Sequence, residues 1–156
     1  MRPVANFNLT GSYLDKLITE PGPGIEPFDC AGFYGSPCVS PNGAPHPTWR
    51  HLARVGWQMP WQNIDVSLAW RYYGPVDLFN SAPNRIDGHF SAQNYFELSG
   101  NWAFTEKGSV RLGINNVLDK DPPISASVGT TGNGNTFPQL YDALGRFVFG
   151  GLTYKF

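Results

Sequence analysis

The run IDVSLAWRYY, Ile64 to Tyr73, admits few folds. Strand side chains alternate between two faces, so Ile64, Val66, Leu68, Trp70 and Tyr72 share one side and Asp65, Ser67, Ala69, Arg71 and Tyr73 the other. The split recurs from Gln93 to Phe104, where Phe96, Leu98, Gly100, Trp102 and Phe104 oppose Gln93, Tyr95, Glu97, Ser99 and Asn101. Val110, Leu112 and Ile114 oppose Arg111, Gly113 and Asn115, and Ala53, Val55, Trp57 and Met59 oppose Arg54, Gly56 and Gln58. At the front, Ala5, Phe7, Leu9, Gly11 and Tyr13 oppose Asn6, Asn8, Thr10 and Ser12; at the end, Val148, Gly150, Leu152, Tyr154 and Phe156 share a face. The pattern predicts an all-β chain of about six long strands in an antiparallel meander, with no helical period.

Charges inside these segments (Arg54, Asp65, Arg71, Glu97, Arg111 and Lys155) all fall on the polar face. A soluble sheet with one wet face would produce such alternation. Two features favour a water-facing lumen and a lipid-facing exterior instead. The strands run to about eight to thirteen residues, near the nine to eleven that cross a bilayer at a 45° tilt and longer than the usual globular five or six. Connections also alternate in size, long at Glu20 to Pro47, Gly74 to Phe90 and Val117 to Leu144, short at Pro60 to Asn63 and Thr105 to Ser109. Long loops on one rim and tight turns on the other mark outer-membrane barrels, the turns being periplasmic. With that parity Trp57, Trp61, Trp102, Phe104, Tyr154 and Phe156 gather at one interface and Tyr13, Trp70 and Tyr72 near the other, as two aromatic girdles.

Composition removes other classes. Aromatics and charged residues each make up 15% of the 156 residues, and the net charge is −1 with no run of like charge, so nucleic acid is not an expected partner. No apolar stretch reaches the roughly twenty residues of a membrane helix, and Met1 to Leu14 lacks a signal-peptide core. No nucleophile elbow, metalloprotease helix or phosphate loop occurs, and His46, His51 and His89 are scattered in or beside loops. The expectation is no enzyme and no cofactor.

Two stretches near the end, LGINNVLDKDPP (Leu112 to Pro123) and YDALGR (Tyr141 to Arg146) leading to a terminal aromatic, resemble the C-terminal end of TonB-dependent outer-membrane receptors. FDCAGFYGSPC (Phe28 to Cys38), PTWRHLARVGW (Pro47 to Trp57) and SLAWRYYGPV (Ser67 to Val76) are similar to receptors of the large proteobacterial branch of that family. The likeness covers nearly all of residues 1–156 but only the last part of a receptor, about a quarter of a 22-stranded barrel with a plugged lumen. It implies residence in the bacterial outer membrane, outer-membrane lipid and the barrel-assembly machinery as partners, and active uptake of a scarce nutrient of siderophore, cobalamin or oligosaccharide type. Plug domain, TonB box and signal peptide are absent, so the TonB complex would act only through a plug missing here, and the chain reads as a fragment beginning at an internal Met1. Val148, Leu152, Tyr154 and Phe156 resemble the signal that the barrel-assembly machinery reads.

Asn115, Asn116, Asp119, Asp142, Gly145 and Arg146 match the family's motifs. The first two and Asp119 are expected to satisfy backbone groups where a strand turns into its loop, and Asp142 with Arg146 to form a paired strand entrance. Asp119, Asp121 and the GNGN run at Gly132 have the wrong spacing for a calcium loop. Cys30 and Cys38, with seven residues between them, lie in a loop that the strand parity puts outside the cell, where a disulfide is permitted; free or metal-binding thiols are the weaker alternative, with only His46 nearby. Contacts to a small-molecule ligand of unknown identity are sought in the long loops and on the lumen face, at Phe33, Tyr34, Tyr73, Asn80 and Asn84. The rival reading is a soluble β-sandwich that binds carbohydrate or acts as an adhesin, which requires a second sheet over the apolar face.

Overall fold

Six strands of the predicted kind form one antiparallel sheet. The computed structural model describes residues 3–38, 44–126 and 133–156; Met1 and Gly132 lie outside the described residues. The long strands are β1 (Val4–Tyr13), β5 (Trp49–Met59), β6 (Ile64–Tyr73), β9 (Gln93–Ala103), β10 (Gly108–Asn115) and β11 (Phe147–Tyr154). They pair in the order β1-β5-β6-β9-β10-β11, so each pairs with the next long strand along the chain. The sheet is open: among the described residues the outer edges of β1 and β11 pair with nothing. No helix forms among the described residues.

Register carries the alternation of single strands across the whole sheet. One row aligns Phe7, Val55, Leu68, Leu98, Ile114 and Val148; the next toward the loops aligns Leu9, Ala53, Trp70 and Phe96. The opposite face aligns Asn6, Gly56, Ser67, Ser99, Gly113 and Phe149, then Asn8, Arg54, Ala69 and Glu97. Arg54, Asp65, Arg71, Glu97 and Arg111 therefore share one face, as the sequence predicts. The apolar face is bare: Phe7 is 67% exposed, Leu68 47% and Leu152 72%, with Val55, Trp57, Leu98, Trp102, Leu112 and Val148 exposed alongside.

Both short connections are tight turns at one end. Gln62 N–H donates to Met59 O (3.1 Å), with Asn63 in the left-handed region (φ 51°) that asparagine tolerates. All three long connections emerge at the other end and carry five short strands that no periodicity announced: β2 (Ile18–Thr19), β3 (Phe28–Asp29), β4 (Phe33–Tyr34), β7 (Val76–Leu78) and β8 (His89–Phe90). β2 pairs with β3, while β4 runs parallel to β7, which pairs in turn with β8. Two- and three-residue strands are too short to show a period, which is why the sequence reading missed them.

Close approaches across the sheet demand glycine at specific rows. The Phe149 ring lies across Gly113, where a Cβ would sit 2.2 Å from its Cζ, and the Arg111 guanidinium stands 5.6 Å from the centre of that ring. Gly113→Ala should displace the ring and lower stability by about 1–3 kcal/mol. Gly151→Ala, which meets nothing within 4 Å, should stay within about 0.5 kcal/mol. Denaturant midpoints for the pair check this, and equal midpoints would count against the packing described.

Candidate functional site

The best-buried apolar residues do not lie on the apolar face of the sheet. They belong to the loop end, where Tyr34, Val76, Leu78, Phe90, Phe137, Leu140 and Tyr141 from the three loops close around Tyr95, on the polar face of β9 near its loop end. Tyr34 stacks on Phe90 with ring centres 4.4 Å apart and meets Phe137 edge-on at 5.7 Å. Tyr73 of β6 meets Tyr95 and Tyr141 edge-on at 6.3 and 5.9 Å. The loops thus fold back over the upper polar face as a cap with its own core. Aromatic pairs of this geometry contribute about 0.5–1.5 kcal/mol each beyond area burial.

Asp87 ties the three loops to one another. It is 5% exposed, receives Arg85 Nε at 2.5 Å and Arg85 Nη2 at 3.1 Å, and accepts from Ser125 Oγ (3.2 Å) and Ala126 N (2.9 Å) of the third loop. Its carbonyl oxygen accepts the hydroxyl of Tyr34 from the first loop. The bond from Arg85, then those from Ala126 and Ser125, hold the Asp87 carboxyl below its ordinary 3.8 against the opposing effect of burial. Burial, and then the charge of Asp87, push the Tyr34 phenol up to about 12, so it stays a donor at any physiological pH.

A second anchor joins cap to sheet. Arg71 of β6 donates from Nε to Glu97 Oε1 (2.5 Å) on β9 and from Nη2 to Asp142 Oδ2 (2.6 Å) on the third loop, with its guanidinium 5.2 Å from the centre of the Tyr95 ring. A planar guanidinium suits two carboxylates and an aromatic face at once. The expected pairing of Asp142 with Arg146 is corrected here. Asp142 is taken by Arg71, whereas the backbone N–H of Arg146 donates to Asp119 Oδ1 (2.8 Å) and its guanidinium stands 4.0 Å from Asp119 Oδ2.

The other motif residues fix the start and end of the third loop. Asn116 is wholly buried at φ 50°; its side chain accepts from Lys120 N and donates to Lys120 O, both at 2.9 Å. Asp119 sits at φ 55°, and Gly145 at φ 68° leaves room for its carboxylate, since a Cβ there would be 3.0 Å from Oδ1. Asn115 ends β10 opposite Phe147. Asn116 and Asp119 thus bond backbone groups where the strand turns into its loop and where the loop ends.

Cys30 and Cys38 lie at disulfide distance, with Cα atoms 5.4 Å apart, and both are buried in the first loop. The ligand residues sought in the loops separate. Tyr34 is corrected: at 0% exposure it is the centre of the cap core and offers no surface. Phe33 is half-buried, edge-on to Phe79 at 5.4 Å, and Tyr73 is half-buried under the cap. Asn80 and Asn84 are exposed turn residues with φ 52° and 67°. His51 is also corrected, since it stands on the apolar face within β5, stacked on Tyr72 (5.1 Å), edge-on to Trp70 (4.5 Å) and accepting Trp49 Nε1–H at 2.9 Å. Val148, Leu152 and Tyr154 line the apolar face of β11, and Phe156 beyond it is fully exposed.

Between sheet and cap a cleft opens on the polar face. One part, of about 420 Å³, is lined by Thr10, Ser12, Arg50, Arg71, Tyr73 and Gln139. A neighbouring part, of about 350 Å³, shares Ser12, Arg50, Gln139 and Leu140 and extends to His46 and Pro47. Volumes of this size suit small molecules. Sequence reasoning missed Asp87, Arg50 and Gln139; nothing local sets them apart, because their neighbours come from distant segments.

Asp87→Ala should remove the carboxylate bonds to Arg85, Ser125 and Ala126 while leaving the Tyr34 bond to the backbone carbonyl in place, and cost about 1–3 kcal/mol per polar group left unsatisfied. Because the folded carboxyl titrates below its ordinary 3.8, its contribution is complete above that value and falls away as pH drops through the folded one. Protection of cap amides, taken relative to the intrinsic exchange rate at each pH, should therefore be unaffected by this group between about pH 5 and 8 and fall below about 4, and Asp87→Ala should remove that acid step. An acid step unchanged in the variant would assign it elsewhere.

Comparison with protein families, with curated proteins and with solved structures found no match in any of the three.

Proposed function

We propose that this chain is the C-terminal barrel segment of a TonB-dependent outer-membrane receptor, taking part in energised uptake of a scarce nutrient of siderophore, cobalamin or oligosaccharide type. The observation that carries the reading is the bare apolar face spanning all six strands, from Phe7 on β1 to Val148 on β11, opposite a polar face roofed by loops. A soluble sheet would bury that face, and both small loop sheets lie at the loop end instead. Strands of ten residues rise about 33 Å and, tilted by 45°, cover about 23 Å, close to the apolar band of outer-membrane barrels.

Other features agree with it. All long connections leave one end and both tight turns the other. Aromatic pairs Trp102–Phe104 and Tyr154–Phe156 mark the turn end, and the Trp49, His51, Trp70 and Tyr72 group the loop end, as interfacial belts do. Unpaired edges on β1 and β11 call for further strands, since open edges are costly in hydrocarbon. The reaction class is transport, with a plug to couple TonB and no bond made or broken by this chain.

Leu68→Lys and Ser67→Lys test the reading with adjacent residues on opposite faces. In lipid the first should cost about 2–4 kcal/mol at mid-sheet depth while the second is tolerated. On a sheet whose apolar face stayed bare in water, a lysine at half-exposed Leu68 would be harmless; a sandwich that covered the face with a second sheet would also lose stability, and the detergent measurement separates it from lipid. Refolding yield in detergent micelles against plain buffer supplies the second measurement: a wild-type chain that stays monomeric and folded without detergent sinks the proposal.

A further inference from the structure

Arg50 is the cleft's free cation. It is exposed on the polar face of β5, and among the described residues it enters none of the ion pairs. Its neighbours in register are Ser12 of β1 and Tyr73 of β6, and it lines both parts of the cleft with Ser12 and Gln139. Among the described residues no Asp or Glu lines either part. Arg71 is already shared by Glu97 and Asp142, so that node carries a net formal charge of −1 and Arg50 brings the neighbourhood to neutrality. Such a balance accepts one added negative charge on Arg50 and disfavours several.

Beyond the imidazoles of His51 and His46, the remaining lining is mostly of two kinds. Thr10, Ser12, Tyr73 and Gln139 offer hydroxyl and amide groups to hydrogen-bond hydroxyls, while Leu14, Leu17, Pro45, Pro47 and Leu140 give an apolar wall. A guanidinium binds a planar carboxylate through two parallel bonds, which a single ammonium or hydroxyl does not reproduce.

We infer that the cleft between the polar face and the third loop binds a small hydroxylated monocarboxylic acid, with its carboxylate on Arg50 and its hydroxyls on Ser12, Thr10 and Gln139. This deepens the uptake reading by naming a ligand class, and rests on that reading only for the direction in which the ligand would travel.

The test is calorimetric titration of the detergent-folded chain with glucuronate, gluconate and glucose. Either acid should bind at least about tenfold more tightly than glucose, and Arg50→Gln should erase that difference. Preference for glucuronate would identify a sugar ring as the ligand's frame, and preference for gluconate an open chain. Leu140→Trp, which fills the cleft from the cap side, should abolish binding of both acids while leaving Arg50 in place. Equal affinity for acid and glucose, no measurable binding of either acid, or an Arg50→Gln chain that keeps the preference each overturns the assignment. The same titration in plain buffer separates the two proposals: a chain folded there that still prefers the acids loses the membrane reading and keeps the cleft, and a detergent-dependent chain without the preference does the reverse.

Discussion

Strand register governs this structure. Side chains alternate with a period of two, so a slip of one residue in any strand would carry its whole polar set to the other side. Moving β6 by one position would set Asp65 and Arg71 among Val55, Trp57 and Leu98, where neither charge has a partner. The observed pairing instead places Arg54, Asp65, Arg71, Glu97 and Arg111 together and leaves the opposite face free of charge. That division makes the bare apolar face possible, and it sets Arg71 at the height where Glu97 and a loop carboxylate both reach it.

The usual relation between sheet and core is reversed. A soluble two-layer protein packs the apolar side of its sheet and wets the other. Here the loops pack on the upper polar side, and the buried aromatic set Tyr34, Phe90, Tyr95, Phe137 and Tyr141 belongs to the cap. Polar anchors hold that cap at two depths, Asp87 joining loop to loop and Arg71 joining the third loop to the sheet. Beside the Arg71 anchor lies the cleft at Arg50, walled by sheet on one side and by Gln139 and Leu140 on the other. A packed and anchored roof over a polar wall offers a ligand a preformed surface, which limits the ordering cost of binding.

The long strands were legible because each repeats its signal over eight to eleven residues; Ile64–Tyr73 was read to its ends for that reason. Backbone-shaping residues were legible too: Asn116, Asp119 and Gly145 belong to types that accept the left-handed region, and all three adopt it. The cap was not. Tyr34 and Phe137 are separated by a hundred residues, and FYGSPC looks as suited to an exposed tip as to a core. Asp142 illustrates the same limit, since Arg146 is near it in sequence but Arg71 is near it in space.

By itself the sequence determined the all-β class, the number of long strands, their faces and the end from which each loop leaves, because these follow from local alternation and turn chemistry. Only the tertiary structure decided that three loops form one cap, that Asp87 ties them, that Tyr34 is core and not contact surface, and that Arg50 meets no acidic partner among the described residues. Those outcomes depend on which distant residues meet, and meeting is set by the register of the whole sheet, which carries the loop ends to one rim and brings them within reach of one another.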